Sequence, residues 1–192
     1  NSPSATACST VCAESPSASP RRAAVVGKPI AHSRSPQLHL AAYRALGLTG
    51  WTYERIECDA DGLPALVAGL GPEWVGLSVT MPGKFAALRL ADERTERAER
   101  VGSANTLVRT GAGWRADNTD IDGVVGALGT VSGAAIVLGS GGTAPAAVVG
   151  LAALGVHDVT IVARNADRVA ALLDLGAGLG LHARHRPLEH DA

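Results

Sequence analysis

The spacing of hydrophobic and polar residues changes several times along the first half of the chain, and each spacing predicts one helix or strand. The apolar run AAVVG at 23–27 has the length and composition of a buried strand. The following segment, SPQLHLAAYRALG, predicts a helix with Ser35 at the N-cap, Pro36 at N1 and Gly47 at its end. Three more elements follow: a strand in WTYERIEC at 51–58, a short helix in GLPALVAGL and a strand in WVGLSVT at 74–80.

The middle of the chain is more polar. The charged run ADERTERAERVG at 91–102 predicts one helix face that is exposed to solvent on the exterior of the molecule. The next segment, SANTLVRTGAGWRADN, predicts a hairpin of two short strands around a glycine-containing turn. TDIDGVVGALG then begins a helix that can connect two domains.

From residue 134 the pattern is that of a βαβ unit. AAIVLG predicts a strand, GSGGTA a glycine loop, the segment to Leu154 a helix, DVTIVAR a strand and NADRVAALLDLG a second helix. We therefore predict an α/β protein with three parts: a disordered tail at 1–22, an N-terminal α/β substrate-binding domain at 23–122, and a partial Rossmann-type dinucleotide-binding domain at 123–192.

Composition narrows the class of partner. A chain of 192 residues that is 46% hydrophobic can bury a core, and a net charge of -1 supplies no field for nucleic acid or an anionic membrane. We expect a small-molecule partner and a monomer or homodimer. Three cysteines without C-x2-C spacing, a first segment unlike a signal peptide and apolar runs too short to span a bilayer favour the cytoplasm.

The glycine loop fits G-x-G-x-x-A between a strand and a helix, the context in which this motif binds dinucleotides. Gly139 allows the tight turn, Gly141 lets backbone amides reach a pyrophosphate, and Ala144 lets helix and strand pack closely. An ordinary glycine-rich turn is the alternative, and the complete βαβ frame favours the nucleotide. The predicted cofactor-binding residues of the loop are Gly139, Ser140, Gly141, Gly142, Thr143 and Ala144.

The end of the next strand predicts which dinucleotide binds. An acidic residue there would bond the ribose 2′-hydroxyl of NAD, whereas this strand ends in Ala163 and Arg164, with Arg168 one turn later. A guanidinium can hold a 2′-phosphate through two hydrogen bonds, so NADP is favoured. The alternative is that both arginines are merely exposed residues at a helix start.

Lys84 follows a Pro-Gly turn in SVTMPGK, and it is one of two lysines in the chain, with Lys28. It does not belong to a P-loop, because Ser78 stands where the first glycine is required and Phe85 where Ser or Thr should bind Mg²⁺. The mundane alternative is a solvated residue in the first turn of a helix. Ser33 and Ser35 lie just before a helix N-terminus, where an anion is favoured.

Five motifs, VVGKPIAHSRSP, SVTMPGK, GSANTL, ADNTDIDG and GSGGTAPA, occur in this order and resemble the shikimate dehydrogenase family, most closely its actinobacterial members. The resemblance covers residues 23–175. It implies a cytoplasmic enzyme of the shikimate pathway that reduces 3-dehydroshikimate to shikimate with NADP, in a site between the two domains.

The same resemblance implies roles for individual residues. Ser33 and Ser35 would bind the substrate carboxylate, and Lys84 would act at the reacting centre. Contacts to the ring hydroxyls would come from Thr80, Asn105 and Asp120. The chemistry agrees, because hydride transfer to a ketone builds negative charge on oxygen, which an ammonium group can stabilise and protonate. Asp120 would hold Lys84 in place.

The chain departs from the family near its end. One strand and one helix follow the glycine loop before the polar tail LGLHARHRPLEHDA, so we expect a C-terminally incomplete chain. The family usually has Asn at the position of Ala163. Two alternatives stay open: a truncated shikimate-binding module without turnover, and a quinate/shikimate dehydrogenase that uses NAD. We expect an exposed sheet edge beyond residue 134, and no metal at His182, His185 and His190.

Overall fold

The computed structural model describes residues 20–188. Its strands are β1 (Arg21–Gly27), β2 (Trp51–Glu57), β3 (Trp74–Val79), β4 (Glu93–Arg94), β5 (Thr106–Thr110), β6 (Gly113–Asp117), β7 (Ala135–Leu138), β8 (Asp158–Ala163) and β9 (His182–Pro187). Its helices are α1 (Ser35–Ala45), α2 (Leu63–Ala68), α3 (Lys84–Leu90), α4 (Glu96–Val101), α5 (Asp120–Leu128), α6 (Ala144–Ala153) and α7 (Ala166–Gly178). The α/β class predicted from the sequence is confirmed.

The first sheet has six strands in the order β2-β1-β3-β5-β6-β4. Strand β1 runs parallel to β2 and β3, and the hairpin β5–β6 pairs antiparallel with β3. Successive residues of β1 pack into different clusters, with Ala24 and Val26 in one and Ala23 and Val25 in another. The strand is therefore buried on both faces, which explains its continuous apolar run.

Two boundaries in the first half differ from the prediction. The tail was expected to reach residue 22, but β1 begins at Arg21, and residues 1–19 lie outside the described part of the chain. Ser35 is the first residue of α1 and Arg34 occupies the N-cap, so the predicted cap is one residue off. The helix closes as predicted at Gly47, whose φ is +70°.

The charged run at 91–102 does not form one helix, so that prediction was wrong. Strand β4 pairs with β6, and α4 begins only after Thr95, whose side chain accepts a hydrogen bond from the Ala98 amide. The inner face of α4 carries Ala98 and Val101, both buried. A good N-cap residue inside the run ends the strand and starts the helix, a signal that charge alone conceals.

The second sheet contains β7, β8 and β9, all parallel, with α6 and α7 as the crossover helices. Strand β9 was missed in the sequence because its residues HARHRP lack an apolar run, and only Ala183 and His185 are half-buried. His182 and His185 thus belong to a strand, and His190 lies outside the described residues. Within 20–188 no cluster of side chains suited to a metal ion is present.

Strand β7 pairs with β8 alone among the described strands, so the edge expected beyond residue 134 is present. Ile136 and Leu138 on it are 71% and 74% exposed. Between residues 20 and 188, the helices are all too short or too polar to cross a membrane.

The two sheets are joined through α5 and α6, which pack closely at Gly150. A methyl group added to Gly150 would lie 2.9 Å from Cγ1 and 3.2 Å from Cβ of Val124 on α5. We expect Gly150→Ala to lower the free energy of unfolding by about 1–3 kcal/mol, because overpacking outweighs the gain in helix propensity of at most about 1 kcal/mol. Denaturant unfolding at equilibrium measures the change.

Gly126 on α5 gives the matched control, since a methyl group there would meet no atom within 4 Å. Gly126→Ala should therefore stabilise the protein by about 0.5–1 kcal/mol. Equal stabilisation by both substitutions would show that α5 and α6 do not meet at Gly150.

Candidate active site

Lys84 and Asp120 form an ion pair where the first sheet meets α5. Lys84 begins α3 after the turn that ends β3, and Asp120 is the first residue of α5. Lys84 Nζ lies 2.5 Å from Asp120 Oδ2, and the two side chains are 12% and 21% exposed. The other carboxylate oxygen of Asp120 accepts a hydrogen bond of 2.8 Å from Asn105 Nδ2. The structure thus brings together three of the residues that the sequence singled out.

Asn105 is itself held on several sides. Its amide N–H donates to the carbonyl of Asp117, and its own carbonyl accepts from the Val79 amide at 2.7 Å. Its side-chain oxygen accepts hydrogen bonds from the Thr119 amide at 3.0 Å and the Thr106 hydroxyl at 2.8 Å. Because both backbone and side chain are tied down, Asn105 presents its Nδ2 group to Asp120 in one orientation.

A buried pair, Asn118 and Ser103, lies directly behind this site. Both residues are 0% exposed. Asn118 Nδ2 donates to the Ser103 carbonyl at 2.9 Å and the Ser103 hydroxyl at 3.2 Å, while its Oδ1 accepts from the Asp120 amide at 3.0 Å. No sequence motif had singled out Asn118. The sequence feature that could have revealed Asn118 is its place between a strand and a helix, where an Asn side chain often accepts a hydrogen bond from the backbone amide two residues later.

Thr80 lies on the loop that follows β3, Ser33 lies on the loop that follows β1, and Ser35 begins α1. The two loops run side by side, since the Lys28 amide donates to the Met81 carbonyl at 3.1 Å and a methyl group on Gly27 would lie 2.5 Å from Thr80 Cγ2. Ser33 Oγ donates to Ser35 Oγ at 3.2 Å. The two serines form their own hydroxyl pair and make no hydrogen bond to Lys84, Asn105 or Asp120 in the part of the chain described.

A second hydroxyl contact nearby was missed from the sequence. The Tyr53 hydroxyl donates to Ser78 Oγ at 2.7 Å, and the Tyr53 ring stacks on His39 with 4.0 Å between ring centroids. Burial raises the pKa of Tyr53 above its usual value, although its hydrogen bond to Ser78 opposes that shift. Tyr53 therefore stays a neutral donor and fixes the hydroxyl of Ser78.

The glycine loop between β7 and α6 reaches the site from the second sheet. Gly139 has φ +100°, and a methyl group on Gly142 would lie 3.8 Å from Lys84 Cδ. A methyl group on Gly139 or Gly141 would meet no atom within 4 Å. Within 20–188, the amide groups of Ser140, Gly141, Gly142 and Thr143 donate no hydrogen bond, so they remain available to an anion at the N-terminus of α6.

One groove of about 790 Å³ connects Lys84 with the second sheet. Its walls include Thr80, Lys84, residues 140–143 of the glycine loop and Arg168. Arg168 lies in the first turn of α7, where its amide donates to Asn165 Oδ1 at 2.9 Å, and Arg164 is exposed at the end of β8. Both arginines lie at the same edge of the sheet as the glycine loop.

Ala163 has a different position from its neighbours. Its side chain is 3% exposed within the core of the second sheet, and its carbonyl accepts a hydrogen bond from His185 Nε2 at 3.0 Å. A ligand can therefore not reach its methyl group. Of the three residues predicted at the end of β8, the arginines have side chains in solvent and Ala163 does not.

Next to Asn118 in the chain, Asp117 belongs to a network of charged side chains around Arg97. Arg97 donates from Nε to Asp117 Oδ1 at 2.6 Å and from Nη2 to Asp117 Oδ2 at 2.5 Å. The Thr95 hydroxyl and the Asn118 amide also donate to Asp117. The hydrogen bond from Arg97 lowers the pKa of Asp117 from 3.8 to about 2, and burial opposes it.

This pKa predicts a stability that depends on pH. Since the folded pKa lies below the unfolded one, Asp117 stabilises the fold fully above about pH 4 and loses that effect as the pH falls towards 2. The stabilisation is on the order of 1–2 kcal/mol, discounted because Arg97 is partly exposed. The difference in free energy of unfolding between wild type and Asp117→Asn should therefore shrink between pH 6 and pH 3. The same difference at both pH values would contradict the assignment.

Comparisons with known proteins identify the family of this chain. Residues 25–107 match the model of the shikimate dehydrogenase substrate binding domain. The curated shikimate dehydrogenase (NADP(+)) of Synechocystis is 40% identical over 152 residues, which are 76% of this chain and 52% of that protein. That of Methylobacterium radiotolerans is 43% identical over 170 residues, 83% of this chain and 60% of that protein. This chain belongs to the shikimate dehydrogenase family.

Solved structures of the family are similar to most of this chain. The Mycobacterium tuberculosis shikimate dehydrogenase is 70% identical with a TM-score of 0.85, covering 90% of this chain and 65% of that one. The Thermus thermophilus enzyme in complex with NADP(H) and shikimate is 32% identical with a TM-score of 0.74, covering 85% of this chain and 62% of that one. The chain spans 52% and 60% of the two curated relatives named above.

Proposed function

We propose that the protein is an NADP-dependent shikimate dehydrogenase that reduces the ketone of 3-dehydroshikimate to the alcohol of shikimate. The observation that carries the proposal is the Lys84–Asp120 pair, braced by Asn105 and approached by the glycine loop at Gly142. Relatives named shikimate dehydrogenase (NADP(+)) and a solved relative in complex with NADP(H) and shikimate support it. The domain boundary between residues 122 and 123 stays a prediction.

The residues present fit NADP. The amides of loop residues 140–143 donate no hydrogen bond in the part of the chain described, and the space beside Gly139 and Gly141 is open, so a pyrophosphate can approach them. Arg164 and Arg168, both exposed, offer guanidinium groups to a 2′-phosphate at the same sheet edge. When bound, the reduced cofactor supplies the hydride. Ala144 completes the motif by packing α6 against the sheet, where it is 8% exposed.

The side chains of the first sheet account for the rest of the reaction. Hydride addition to the carbonyl carbon leaves negative charge on the oxygen, and the Lys84 ammonium group stabilises that charge and donates its proton to it. The proton lost from Nζ is replaced from solvent. Asp120 keeps the ammonium group in one place, so that the site needs no reorganisation when charge develops.

Polar groups from four segments of the chain hold the substrate. Thr80, Asn105 and Asp120 offer hydroxyl, amide and carboxylate groups to the ring hydroxyls. The hydroxyl pair Ser33 and Ser35 lies at the N-terminus of α1 and suits the substrate carboxylate. The side-by-side course of the loops after β1 and β3 supports one site that contains both sets of groups.

A second candidate is shikimate binding without turnover. It is favoured by one observation: all of the proposed substrate contacts precede residue 122, whereas the chain spans only 52% and 60% of the two curated relatives. A dehydrogenase that acts on quinate with NAD is less well supported, because the end of β8 offers two exposed arginines and no carboxylate.

Two measurements on the purified chain separate these candidates. A titration with shikimate in a calorimeter measures binding, and the substitution Ser33→Ala should weaken the affinity for shikimate. A spectrophotometric assay with 3-dehydroshikimate and either NADPH or NADH reports turnover. Binding with NADPH turnover supports the dehydrogenase; binding alone supports the second candidate. Faster turnover with NADH, or no shikimate binding by the folded chain, would overturn the proposal.

A further inference from the structure

Arg97 connects three elements that meet behind the proposed site. Arg97 lies on α4, and its guanidinium group donates a bidentate pair of hydrogen bonds to the carboxylate of Asp117 at the end of β6. Its remaining nitrogen, Nη1, donates to Asp122 Oδ2 in the first turn of α5 at 2.6 Å. A lysine ammonium group donates from a single nitrogen and lacks the flat fork that meets both oxygens of Asp117 and also reaches Asp122, so the geometry calls for arginine.

The two carboxylates that Arg97 binds enclose the segment that carries Asp120. Asp117 comes directly before this segment and Asp122 directly after Ile121, so the guanidinium group closes a loop across residues 117–122. Inside the loop, the buried Asn118 holds the Asp120 amide at 3.0 Å. The backbone from which the Asp120 side chain extends is therefore held by contacts outside the reacting groups, while Lys84 and Asn105 contact the carboxylate itself.

Arg97 itself does not touch the groups that would react. Its hydrogen bonds go to Asp117 and Asp122, and it is not among the residues that line the groove beside Lys84. Any effect on the reaction must pass through the loop that it closes. A role of this kind differs from binding the substrate or donating a proton.

We propose that Arg97 is a positioning residue that holds the segment 117–122 so that Asp120 keeps Lys84 Nζ at the reacting centre. The role rests on the proposed function, since it has meaning for catalysis only if Lys84 and Asp120 act on the substrate. The contact that it maintains, 2.5 Å from Lys84 Nζ to Asp120 Oδ2, exists without any ligand. It can therefore be tested apart from turnover.

Lysine labelling gives that test, because the chain has two lysines and each serves as reference for the other. The Lys84 side chain is 12% exposed against Asp120, whereas that of Lys28 is 54% exposed. Acetylation with an N-hydroxysuccinimide ester, followed by mass spectrometry, gives both rates. In Arg97→Gln we expect the ratio of the Lys84 rate to the Lys28 rate to rise about fivefold or more, because the pair opens more often.

The controls separate loss of position from loss of structure. Arg115→Gln makes the same change at an exposed arginine on β6, and it should leave the ratio unchanged. Asp117→Asn and Arg97→Lys should each raise the ratio above that of the wild type, so either variant decides if Arg97→Gln fails to fold. An unchanged ratio in folded Arg97→Gln or Asp117→Asn would overturn the proposal.

Turnover gives the second readout. In full-length protein with NADPH, we expect Arg97→Gln to lower kcat by about tenfold to a hundredfold, as small misplacements of reacting groups do, with little change in the KM for substrate. A rise in KM at constant kcat would contradict a positioning role. If the wild type lacks turnover, the proposed function fails, while the labelling ratio still reports whether Arg97 positions Lys84.

Discussion

Replacement of Lys84 by alanine is expected to lower kcat by about two to four orders of magnitude, with a change in KM of no more than about threefold. Loss of the ammonium group removes both the charge that stabilises the developing alkoxide and the proton that neutralises it. Those contacts strengthen only as the reaction proceeds, so the loss appears in kcat. Steady-state kinetics of 3-dehydroshikimate reduction by full-length protein measure both constants.

Lys28→Ala is the matched control for this experiment. Lys28 also forms an ion pair, with Asp59 at 3.1 Å, but its side chain is 54% exposed and far less enclosed than Lys84. An exposed pair of this kind contributes little, so Lys28→Ala should keep wild-type kinetics. A higher KM with unchanged kcat in Lys84→Ala would make Lys84 a residue that binds substrate and does not take part in chemistry.

Replacement of Arg164 by alanine is expected to cost about 10-fold to 150-fold in kcat/KM with NADPH, which is about 1.5–3 kcal/mol for a hydrogen bond to a charged group. The same substitution should leave kcat/KM with NADH almost unchanged, because NADH lacks the 2′-phosphate. Arg164 is exposed at the end of β8, so its removal leaves the core intact. Assays with both cofactors on one protein preparation give the ratio directly.

An exposed arginine on the first sheet, Arg115, provides the control, and Arg115→Ala should change neither cofactor's kcat/KM. Equal losses with NADPH and NADH in Arg164→Ala would show that the guanidinium group acts on a part shared by both cofactors. In that event Arg168, which lines the groove, would be the better candidate for the 2′-phosphate.

The sequence predicted the elements with strong patterns and missed those without. The apolar run of β1, the hairpin β5–β6 and the βαβ unit that contains the glycine loop all occur as predicted. Strand β9 was not predicted, because most of its residues are exposed and it therefore lacks the apolar run that marks a buried strand. The helix predicted over 91–102 was too long, because the pattern of charges does not reveal the capping contact of Thr95, where the helix begins.

The residues of the candidate site also divide into those that sequence motifs revealed and those that they did not. Motifs drew attention to Lys84, Asn105 and Asp120, which the structure brings together within hydrogen-bonding distance. Arg97, and the contact of Asn118 with Ser103, were passed over because the partners are distant in sequence. Pairing across the fold is a property of the tertiary structure, and a local pattern carries no trace of it. The roles of all these residues in catalysis stay predictions.

Helix α5 (Asp120–Leu128) has a practical consequence for anyone who wishes to divide this protein. The boundary predicted between residues 122 and 123 falls inside it. A fragment that ends at Asp122 would keep the Asp120 carboxylate but would retain only the first turn of its helix, and a single turn is unstable by itself because nucleation is costly. The first half should therefore be excised after Gly129, which ends α5. Chimaeras between family members should take α5 whole from one parent, together with the α6 surface at Gly150 that it packs against.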